Sequence, residues 1–407
     1  MKGTTGKFYA VSTRQGCENW DALIARRETL YAREGDIRSP FARDYTRILH
    51  SNAYRRLKHK TQVFFNAEND HVCTRMEHVS HVDSVAYTIA IQLGLNDELT
   101  RAIATGHDLG HAPFGHHGER VLSRLSQQYA GTTFWHEKNG LRMADCLELL
   151  EDNHRVFRNL NLTYAVRDGI ISHCGEIDQN GLHPREELFD LNVLSRAGEC
   201  QPATWEGCVV KLADKIAYLG RDIEDALSLG FISGEQLKKI GSLPSGDAVN
   251  TTGIINELIS DVCKTSSPQD GIGMSEQSFK RLNAIKQFNY DYIYRSPRFK
   301  AFEEYSSLII NTLFDRLYNL YGEGFDFAAL EEFSHVYPVL AQAFGEWLKK
   351  YCDEDILPKS ADVSAYANAK IYGKLSDKKV YAQAVLDFIS GMTDGFAIKL
   401  FDEQLKF

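Results

Sequence analysis

The sequence predicts an all-α protein, and three observations support this fold class. Apolar residues recur at intervals of three and four along most of the 407 residues, which is the spacing of a helical face. Runs that alternate apolar and polar residues, as strands do, are few. No internal repeat is found. We expect one large helical domain over residues 1–407, with a soft boundary in the Gly-, Ser- and Thr-rich stretch at 231–280.

The first informative helix is predicted to run from His78 to Gly94. One face carries His78, Val82, Val85 and Ile89 at steps of four, three and four, which is the pattern of an inward stripe. Gly94 is a suitable end because glycine accepts the left-handed conformation that closes many helices. The imidazole of His78 is therefore expected to point toward a core.

A second helix is predicted to follow directly. Asn96 and Asp97 suit its cap. Its inward stripe consists of Leu99, Ile103 and His107. Gly110 and Pro113 disfavour continuation of the helix. Two helices thus each bring a histidine inward.

A third helix is predicted in VVKLADKIAYLGRDIEDAL at 209–227. Its core stripe consists of Val209, Leu212, Ile216, Leu219 and Ile223. The opposite side carries Lys211, Asp214, Tyr218, Arg221, Asp222 and Asp225. That polar side faces either solvent or a site. Two later segments, SLPSGD (242–247) and KTSSPQDGIGMSEQ (264–277), are predicted to be loops, and helices are expected to resume at about Phe279.

Composition excludes several classes of protein. A net charge of -9 argues against nonspecific adhesion to nucleic acid, which depends on clustered Lys and Arg, but it permits a small polyanion in a local basic pocket. The sequence has no apolar run long enough to span a membrane and no signal-peptide pattern, so we expect a cytoplasmic protein. The eight cysteines are scattered without a C-x-x-C pair, so we expect reduced thiols.

The stretch GHDLGHAPFGHHGE at 106–119 combines four histidines with an aspartate and a glutamate. His107 and His111 are four residues apart, as in the zinc-protease helix H-E-x-x-H. Asp108, however, occupies the position of the glutamate that serves as general base, and the glycine and proline that follow disfavour the uninterrupted helix. This interpretation is therefore disfavoured.

A metal bound by the adjacent pair His107 and Asp108, by His78 and by the distant Asp214 explains the pattern better. Mixed imidazole and carboxylate ligands suit a divalent ion such as Mn, Fe, Co or Mg, and such a site leaves positions open for water and substrate. A purely structural role stays open for each residue taken alone, since an inward histidine can be a core residue and Asp214 can lie on a solvated face.

These four residues resemble the H…HD…D signature of the HD phosphohydrolase superfamily. More closely, the chain resembles the dGTPase-like deoxynucleotide triphosphohydrolases in six blocks, in the right order and almost end to end. The blocks are FARDYTRILHSNAYRRLKHKTQVF (41–64), TRMEHVSHV (74–82), GHDLGHAPFGHHGE (106–119), FWHE (134–137), LADKIAYLGRDIEDAL (212–227) and DFISGMTDGFA (387–397). The resemblance implies an HD catalytic core at about 41–230 and a C-terminal helical part, 231–407, packed on it.

The resemblance also implies a reaction. A dNTP, with dGTP among the substrates, would be hydrolysed at the α-phosphorus to a deoxynucleoside and tripolyphosphate. The implied cofactor is a divalent metal ion, Mn²⁺ or Mg²⁺, with Fe, Co, Ni and Zn as alternatives. Its ligands would be His78, His107, Asp108 and Asp214.

Proton transfer is expected from the residues that follow the doublet. The 5′-oxygen of a nucleoside leaves poorly unless it is protonated, so a positioned acid contributes on the order of 10² to 10⁴ in rate. We expect His116 with Glu119 to transfer the proton, and His111 and His136 to lie on the phosphates. His117 matches no functional position and is expected at the surface.

Other family positions match residues that would contact the nucleotide. Arg75 and Lys215 match phosphate-binding positions, and Gln62 matches a position near the base and sugar. Tyr218 and Asp222 match the positions that hold the sugar 3′-hydroxyl. We expect Tyr294 to exclude a ribose 2′-hydroxyl, with a core or surface role as the alternative. The basic residues Arg43, Arg47, Arg55, Arg56, Lys58 and Lys60 form either a phosphate-binding surface or a solvated helix face.

One departure from the family is clear. Where HSLEV is common after the first metal histidine, this chain has HVSHV, so that His81 replaces a glutamate. His81 is expected either to perturb the site or to bind a second ion, and it puts the substrate preference in doubt.

Alternative functions and partners remain open at this level. The alternatives are an HD phosphodiesterase or nucleotidase that acts on another nucleotide, and a catalytically silent nucleotide sensor or nucleic-acid-binding regulator. The resemblance further implies a homo-oligomer, with a hexamer favoured over a dimer or tetramer, and an allosteric nucleotide.

Overall fold

A computed structural model describes residues 6–29, 35–65, 69, 71–174, 179–237 and 251–405. The predicted loop SLPSGD (242–247) lies outside these residues, whereas most of KTSSPQDGIGMSEQ is a loop between two helices, as predicted. Contacts divide the chain into two units. Unit 1 comprises Met1–Leu49, Gln62–Asp108 and Leu162–Lys300, and unit 2 comprises His50–Thr61, Leu109–Asn161 and Ala301–Phe407. The units alternate along the chain, so the predicted core at 41–230 and its C-terminal part stay a prediction.

The all-α prediction is confirmed, because helices dominate both units. In chain order the α-helices of the described residues are α1 (Trp20–Leu23), α2 (Pro40–His50), α3 (Asn52–Arg56), α4 (Arg75–Leu93), α5 (Asp97–Gly106), α6 (Gly115–Leu125), α7 (His136–Arg142), α8 (Tyr164–Ser172), α9 (Trp205–Ser228), α10 (Gly234–Leu237), α11 (Thr251–Thr265), α12 (Glu276–Asn289), α13 (Lys300–Tyr318), α14 (Phe327–Ser334), α15 (Pro338–Tyr351), α16 (Lys378–Ser390) and α17 (Asp394–Asp402). The strands of this part of the chain are β1 (Leu149–Glu151) and β2 (Phe157–Asn159), which pair antiparallel with Leu149 opposite Asn159.

Helix α4 is the centre of unit 1, where it packs against α5 and α9. It begins with a capping box, in which Thr74 accepts a hydrogen bond from the Glu77 N–H and the Glu77 carboxylate accepts one from the Thr74 N–H. Together these contacts satisfy two backbone donors at the helix start. The helix ends at Gly94, whose φ of 80° is in the left-handed region that glycine adopts without strain. The predicted inward stripe from His78 to Ile89 is buried.

Helix α5 begins as predicted, since the Asn96 side chain accepts a hydrogen bond from the Leu99 N–H at 3.1 Å. The same segment is held by Glu206, a fully buried acid near the start of α9. Its carboxylate accepts hydrogen bonds from the backbone N–H groups of Thr13 and Asn96, at 3.0 and 2.9 Å. Burial raises the pKa of Glu206. One carboxylate thus joins three distant segments of unit 1.

Helix α9 has both of its sides protected from solvent. The predicted core stripe is buried, and so are Lys211, Lys215, Asp222 and Asp225 on the polar side. Of the two alternatives that the sequence left for this side, solvent and a site, the burial favours a site. Charged groups seldom lie away from water without partners or ligands.

Unit 2 contains a sharp turn before α6. Phe114 is buried and has a φ of 63°, a conformation that costs energy for a residue with a bulky side chain. Its N–H donates to Asp394, at the start of α17, at 2.8 Å. Asp394 also accepts a hydrogen bond from the Thr61 N–H at 2.9 Å. This carboxylate therefore holds the turn that sets the direction of α6.

Two other sequence predictions can be compared with the structure. The eight cysteines, all within the described residues, are free thiols, in agreement with the prediction. Among the described helices none has both the length and the apolar content needed to cross a membrane.

Candidate metal centre and active site

Unit 1 brings the four predicted metal ligands together. The Nε2 atom of His78 lies 3.0 Å from Oδ1 of Asp214 and 4.0 Å from Oδ2 of Asp108. The Nε2 atom of His107 lies 3.5 Å from Oδ1 of Asp108 and 3.9 Å from Oδ1 of Asp214. One ligand atom from each of His78, His107 and Asp214 lies within 4.8 Å of the others. The helices α4, α5 and α9, which pack on one another, thus converge two imidazoles and two carboxylates.

The hydrogen bonding of His107 fits a metal. Its Nδ1 atom lies 2.7 Å from the carbonyl oxygen of Ala104, one turn earlier, so Nδ1 carries the proton and Nε2 keeps its lone pair. Nε2 is buried and has no hydrogen-bond partner among the described residues. A buried acceptor that faces two carboxylates without a partner is well suited to a cation.

The contact between His78 and Asp214 shifts the pKa values of both side chains in opposite directions. Burial acts to lower the pKa of His78, but the hydrogen bond and charge of Asp214 raise it above its ordinary value. Burial acts in the opposite direction on Asp214, and the hydrogen bond and charge of His78 lower its pKa to about 2. The low pKa of Asp214 keeps its carboxylate ionised, as a metal ligand requires.

His173 is a residue near this centre that the sequence interpretation missed. It follows the last residue of α8, is 1% exposed, and has its ring centroid 4.9 Å from that of His107. Together with His107 and Asp108 it forms another group of ligand atoms within 4.8 Å of one another. A signal was present, because Val166, Ile170 and His173 follow at helical steps of four and three, as the stripe that ends in His107 does.

Arg75 contacts the metal centre from the first turn of α4. Its Nη1 atom lies 3.0 Å from Oδ2 of Asp108, and the side chain is 2% exposed. The Nε and Nη2 atoms are buried without a hydrogen-bond partner among the described residues. Arg75 therefore has two N–H groups available beside a metal ligand, in the fork that suits phosphate oxygens.

The predicted sugar-binding residues also lie together in unit 1. The hydroxyl of Tyr294 donates to Oδ2 of Asp222, which lies on α9 two turns beyond Asp214. Burial raises the pKa of Asp222 to about 7, and the Tyr294 hydrogen bond limits that rise. Burial and the Asp222 charge raise the pKa of Tyr294. Lys215, on the same helix, is buried, and the Oε1 atom of Gln62 is buried without a partner among the described residues.

Unit 2 brings together the four residues predicted for proton transfer and phosphate contact. Glu119 is the centre of this group, since Nδ1 of His116 and Nδ1 of His136 each lie 3.2 Å from its carboxylate. The ring centroids of His111 and His136 are 4.0 Å apart. Burial acts to raise the pKa of Glu119, but the neighbouring imidazoles lower it well below its ordinary value. The carboxylate is therefore ionised and can accept hydrogen bonds from both imidazoles.

The turn that carries His111 is fixed by close backbone contacts in unit 2. Lys60, the last residue of the predicted basic run, is buried and donates to the carbonyl of His111. A Cβ atom at Gly110 would lie 2.0 Å from the Gly140 nitrogen and 2.1 Å from the His136 carbonyl oxygen. Only glycine fits there. Since α5 ends at Gly106 and α6 begins at Gly115, no helix joins His107 to His111, and the zinc-protease interpretation is excluded on geometry.

The remaining basic residues of the run are divided between the two units. Arg43 in unit 1 lies 3.5 Å from Asp36 through its Nε atom. Arg56 in unit 2 pairs with Glu148, and Lys58 is exposed. Members of the run therefore differ in burial and partners, and both alternatives for the run, a phosphate-binding surface and a solvated helix face, stay predictions.

Two further histidines, His117 and His81, lie outside both groups. His117 is half-buried, with Nδ1 2.9 Å from Oε1 of Glu303, so it is less exposed than a free surface residue. His81 is exposed on α4 and belongs to none of the ligand groups found among the described residues. Although the residue is exposed overall, partial removal of its imidazole from water and the charges of Arg221 and His78 lower the pKa of His81.

Comparisons with known proteins agree with this geometry. Residues 75–219 match the HD domain family model. The chain is 33% identical to a deoxyguanosinetriphosphate triphosphohydrolase-like protein of Caldanaerobacter subterraneus subsp. tengcongensis, over 90% of this chain and 85% of that protein. It is 38% identical to one of Desulfatibacillum aliphaticivorans, over 73% and 78%, and 31% identical to one of Geobacter metallireducens, over 90% and 88%.

These matches cover most of both chains, and the HD match includes all four predicted metal ligands. The predicted family and fold are confirmed. The chain belongs to the deoxyguanosinetriphosphate triphosphohydrolase-like family of HD-domain, metal-dependent phosphohydrolases.

Proposed function

We propose that this protein hydrolyses deoxynucleoside triphosphates to a deoxynucleoside and tripolyphosphate, with dGTP among its substrates. The observation that carries the proposal is the arrangement in unit 1. Its packed helices share an imidazole and carboxylate group, two Arg75 N–H groups that have no hydrogen-bond partner within the described part of the chain, and the Asp222–Tyr294 pair. A metal, phosphate ligands and a sugar contact are the parts that such a reaction requires. The relatives named above carry dGTP in their names.

His78, His107, Asp108 and Asp214 would hold the metal. A divalent ion supplies a Lewis acid for a phosphoryl oxygen and lowers the pKa of a water molecule from about 15.7 toward 7. The lone pair of His107 Nε2 supports this assignment, since it is buried without a partner among the described residues. The carboxylate-rich ligand set favours Mn²⁺ or Mg²⁺ over a closed structural zinc site.

Arg75 would bind the triphosphate. Its Nε and Nη2 groups, which have no hydrogen-bond partner among the residues that the structure describes, match the bidentate contact that a guanidinium makes with two phosphate oxygens. The contact of Nη1 with Asp108 fixes the orientation of the fork beside the metal group. Lys215 would add a compact charge from α9, where it is buried.

Asp222 and Tyr294 would recognise the deoxyribose. A carboxylate whose pKa is about 7 can accept a hydrogen bond from the 3′-hydroxyl when ionised and donate one when protonated. Tyr218, one turn from both Asp214 and Asp222, would complete this contact. Tyr294, held against Asp222 by its hydroxyl, would occupy the space that a 2′-hydroxyl needs. Gln62 would accept a hydrogen bond from the base or sugar through its Oε1 atom, which is buried and has no partner in the described part of the chain.

The unit 2 residues would move the proton. His116 with Glu119 would protonate the leaving 5′-oxygen, and His111 and His136 would contact phosphate oxygens. The ionised Glu119, between two imidazoles, supports this role because it stabilises the protonated imidazole that acts as the acid. The homo-oligomer and the allosteric nucleotide stay predictions.

Product analysis tests the proposal. The purified protein is incubated with each dNTP and each rNTP in the presence of Mn²⁺ or Mg²⁺, and the products are separated by ion-exchange chromatography. We expect deoxynucleoside and tripolyphosphate from dNTPs and little turnover of rNTPs. Inorganic phosphate or a nucleoside monophosphate would instead indicate a nucleotidase or phosphodiesterase. Binding of dNTPs without turnover would indicate a sensor.

A further inference from the structure

We propose that His111, His116, Glu119 and His136 of unit 2 form a second metal site, selective for a borderline transition metal such as Zn²⁺. This site differs from the predicted metal group of unit 1 and lies wholly within unit 2. Its occupation would remove these residues from proton transfer, so it would be an inhibitory site.

The geometry supports a metal. One ligand atom from each of the four side chains lies within 4.8 Å of the others. A tetrahedral zinc ion with bonds of about 2.0–2.1 Å holds its ligand atoms about 3.3 Å apart. The two separations between Glu119 and its imidazole neighbours are 3.2 Å each. Only small side-chain movements would be needed for an ion to replace the protons that those contacts now share.

The ligand types favour a different ion from that of unit 1. Three imidazoles and one carboxylate suit Zn²⁺, Co²⁺ or Ni²⁺, because nitrogen ligands bind these ions more strongly than they bind Mg²⁺ or Mn²⁺. The unit 1 group has two imidazoles and two carboxylates, a harder and more negative set. The protein would therefore sort ions, with the harder ion in unit 1 and the softer one in unit 2.

Three of the four ligands are fixed in place before an ion arrives. His111 is buried in the turn held by Lys60. The backbone N–H of His136, the first residue of α7, donates to Oε1 of Glu119 at 2.9 Å. A site whose ligands are already oriented loses little entropy on binding. The fourth ligand, His116, has a side chain that is 56% exposed, which gives an ion a way in from solvent.

The inhibitory effect rests on the proposed function. An imidazole whose nitrogen lone pair binds a metal cannot carry the proton that the leaving oxygen needs. Excess Zn²⁺ should therefore slow dNTP hydrolysis even when the unit 1 site is saturated with Mn²⁺. Absence of any dNTP hydrolysis would contradict the proposed function. The zinc-binding measurements would still show whether the second metal site exists.

A zinc titration of the full-length chain tests the site. The double substitution His107→Ala with Asp108→Ala disables the unit 1 group, and the remaining zinc equivalents are counted by calorimetry and by atomic absorption after gel filtration. We expect one equivalent. Adding His116→Ala should weaken its binding at least about 100-fold, since loss of outer-shell partners alone costs 10–100-fold in metal affinity. Adding His117→Ala, the neighbouring histidine, should leave it unchanged.

Several results would overturn the site. One is that the His107→Ala, Asp108→Ala chain binds no zinc. Another is that His116→Ala and His117→Ala lower its zinc affinity equally. Circular dichroism of each variant checks folding. Where a variant unfolds, Glu119→Gln on the wild-type background gives a second measurement, in which the zinc stoichiometry should fall by one equivalent and Co²⁺ should lose one of two absorption signatures. An unchanged stoichiometry there contradicts the proposal.

Discussion

The two histidine-containing groups of this protein are built in different ways. The unit 1 group joins residues from position 78 to position 214, and three of its members, His78, His107 and Asp108, are no more than 4% exposed. The unit 2 group lies between positions 111 and 136 and includes His116, whose side chain is 56% exposed. Packed helices thus bury most of the unit 1 group, while a tight turn and two helix starts leave part of the unit 2 group exposed to solvent.

The largest expected effect comes from breaking the unit 1 group. His107→Ala with Asp108→Ala should lower kcat/KM for dNTP hydrolysis by at least about 10³-fold, because a metal contributes several kcal/mol to charge stabilisation and each 1.36 kcal/mol is a factor of ten. The same variant should lose Mn²⁺ binding by calorimetry. His81→Ala, on the exposed side of α4, is the control and should retain both. Full retention of Mn²⁺ by the double variant would revive the sensor hypothesis.

A smaller effect is expected from the unit 2 group. His116→Ala should lower kcat on the order of 10² to 10⁴, with a smaller change in KM, because a general acid acts mainly in the transition state. His117→Ala, one residue further along α6, should stay within a factor of two or so of wild type. Equal effects of the two substitutions on kcat would contradict the role of His116 as a general acid. They would also contradict the assignment of proton transfer to the unit 2 group.

Asp222 gives a pH-dependent prediction. In the unfolded chain its carboxyl ionises near its ordinary pKa of 3.8, whereas burial in the folded chain raises the pKa to about 7. Between these values the folded state retains a proton that the unfolded state releases, so the free energy of unfolding falls as pH rises, by up to about 1.4 kcal/mol per pH unit. Above about pH 7 the Asp222 carboxyl is ionised in both the folded and the unfolded state, and the free energy of unfolding no longer falls on its account.

The substitution Asp222→Asn removes this ionisation. Denaturant titrations of both proteins from about pH 5 to about pH 8 should show the wild type losing stability relative to the variant up to about pH 7, with no further relative loss above it. Parallel stability curves for the two proteins across that range would contradict the raised pKa.

The smallest expected effects come from two substitutions that remove hydrogen bonds supporting the two groups, one in the turn of unit 2 and one at the start of α4 in unit 1. Asp394→Ala leaves the buried Phe114 N–H without its acceptor, and an unsatisfied buried donor costs about 1–3 kcal/mol. Thr74→Ala removes the α4 cap, which costs about 1 kcal/mol. Both are measured by urea denaturation. We expect Asp394→Ala also to lower kcat, because it loosens the turn before His116 and Glu119, and Thr74→Ala to affect stability alone.

Local sequence patterns were enough to predict the helices that carry the unit 1 group. The periodic stripes pointed His78 and His107 inward, and Asn96 and Gly94 marked helix ends where the structure has them. Such signals work because helix geometry and capping depend on residues only a few positions apart. His173 had the same signal and was overlooked.

Contacts between distant segments could not be predicted in this way. The partners of the buried Glu206 lie 193 and 110 residues away in the sequence, and no local pattern links them. Periodicity left the polar side of α9 undecided, because it cannot tell a solvated face from one covered by other segments. One of the points where the chain passes from unit 1 to unit 2 lies directly after Asp108. It divides the motif GHDLGHAPFGHHGE, and nothing in that continuous sequence indicated the division.

The contact between Gly110 and Gly140 limits how this enzyme can be changed by laboratory evolution. In a saturation library, position 110 should return almost only glycine among folded variants, because any side chain there displaces the backbone that carries His136. Attempts to alter substrate range should therefore leave this turn alone and vary the proposed nucleotide contacts of unit 1, which lie outside it.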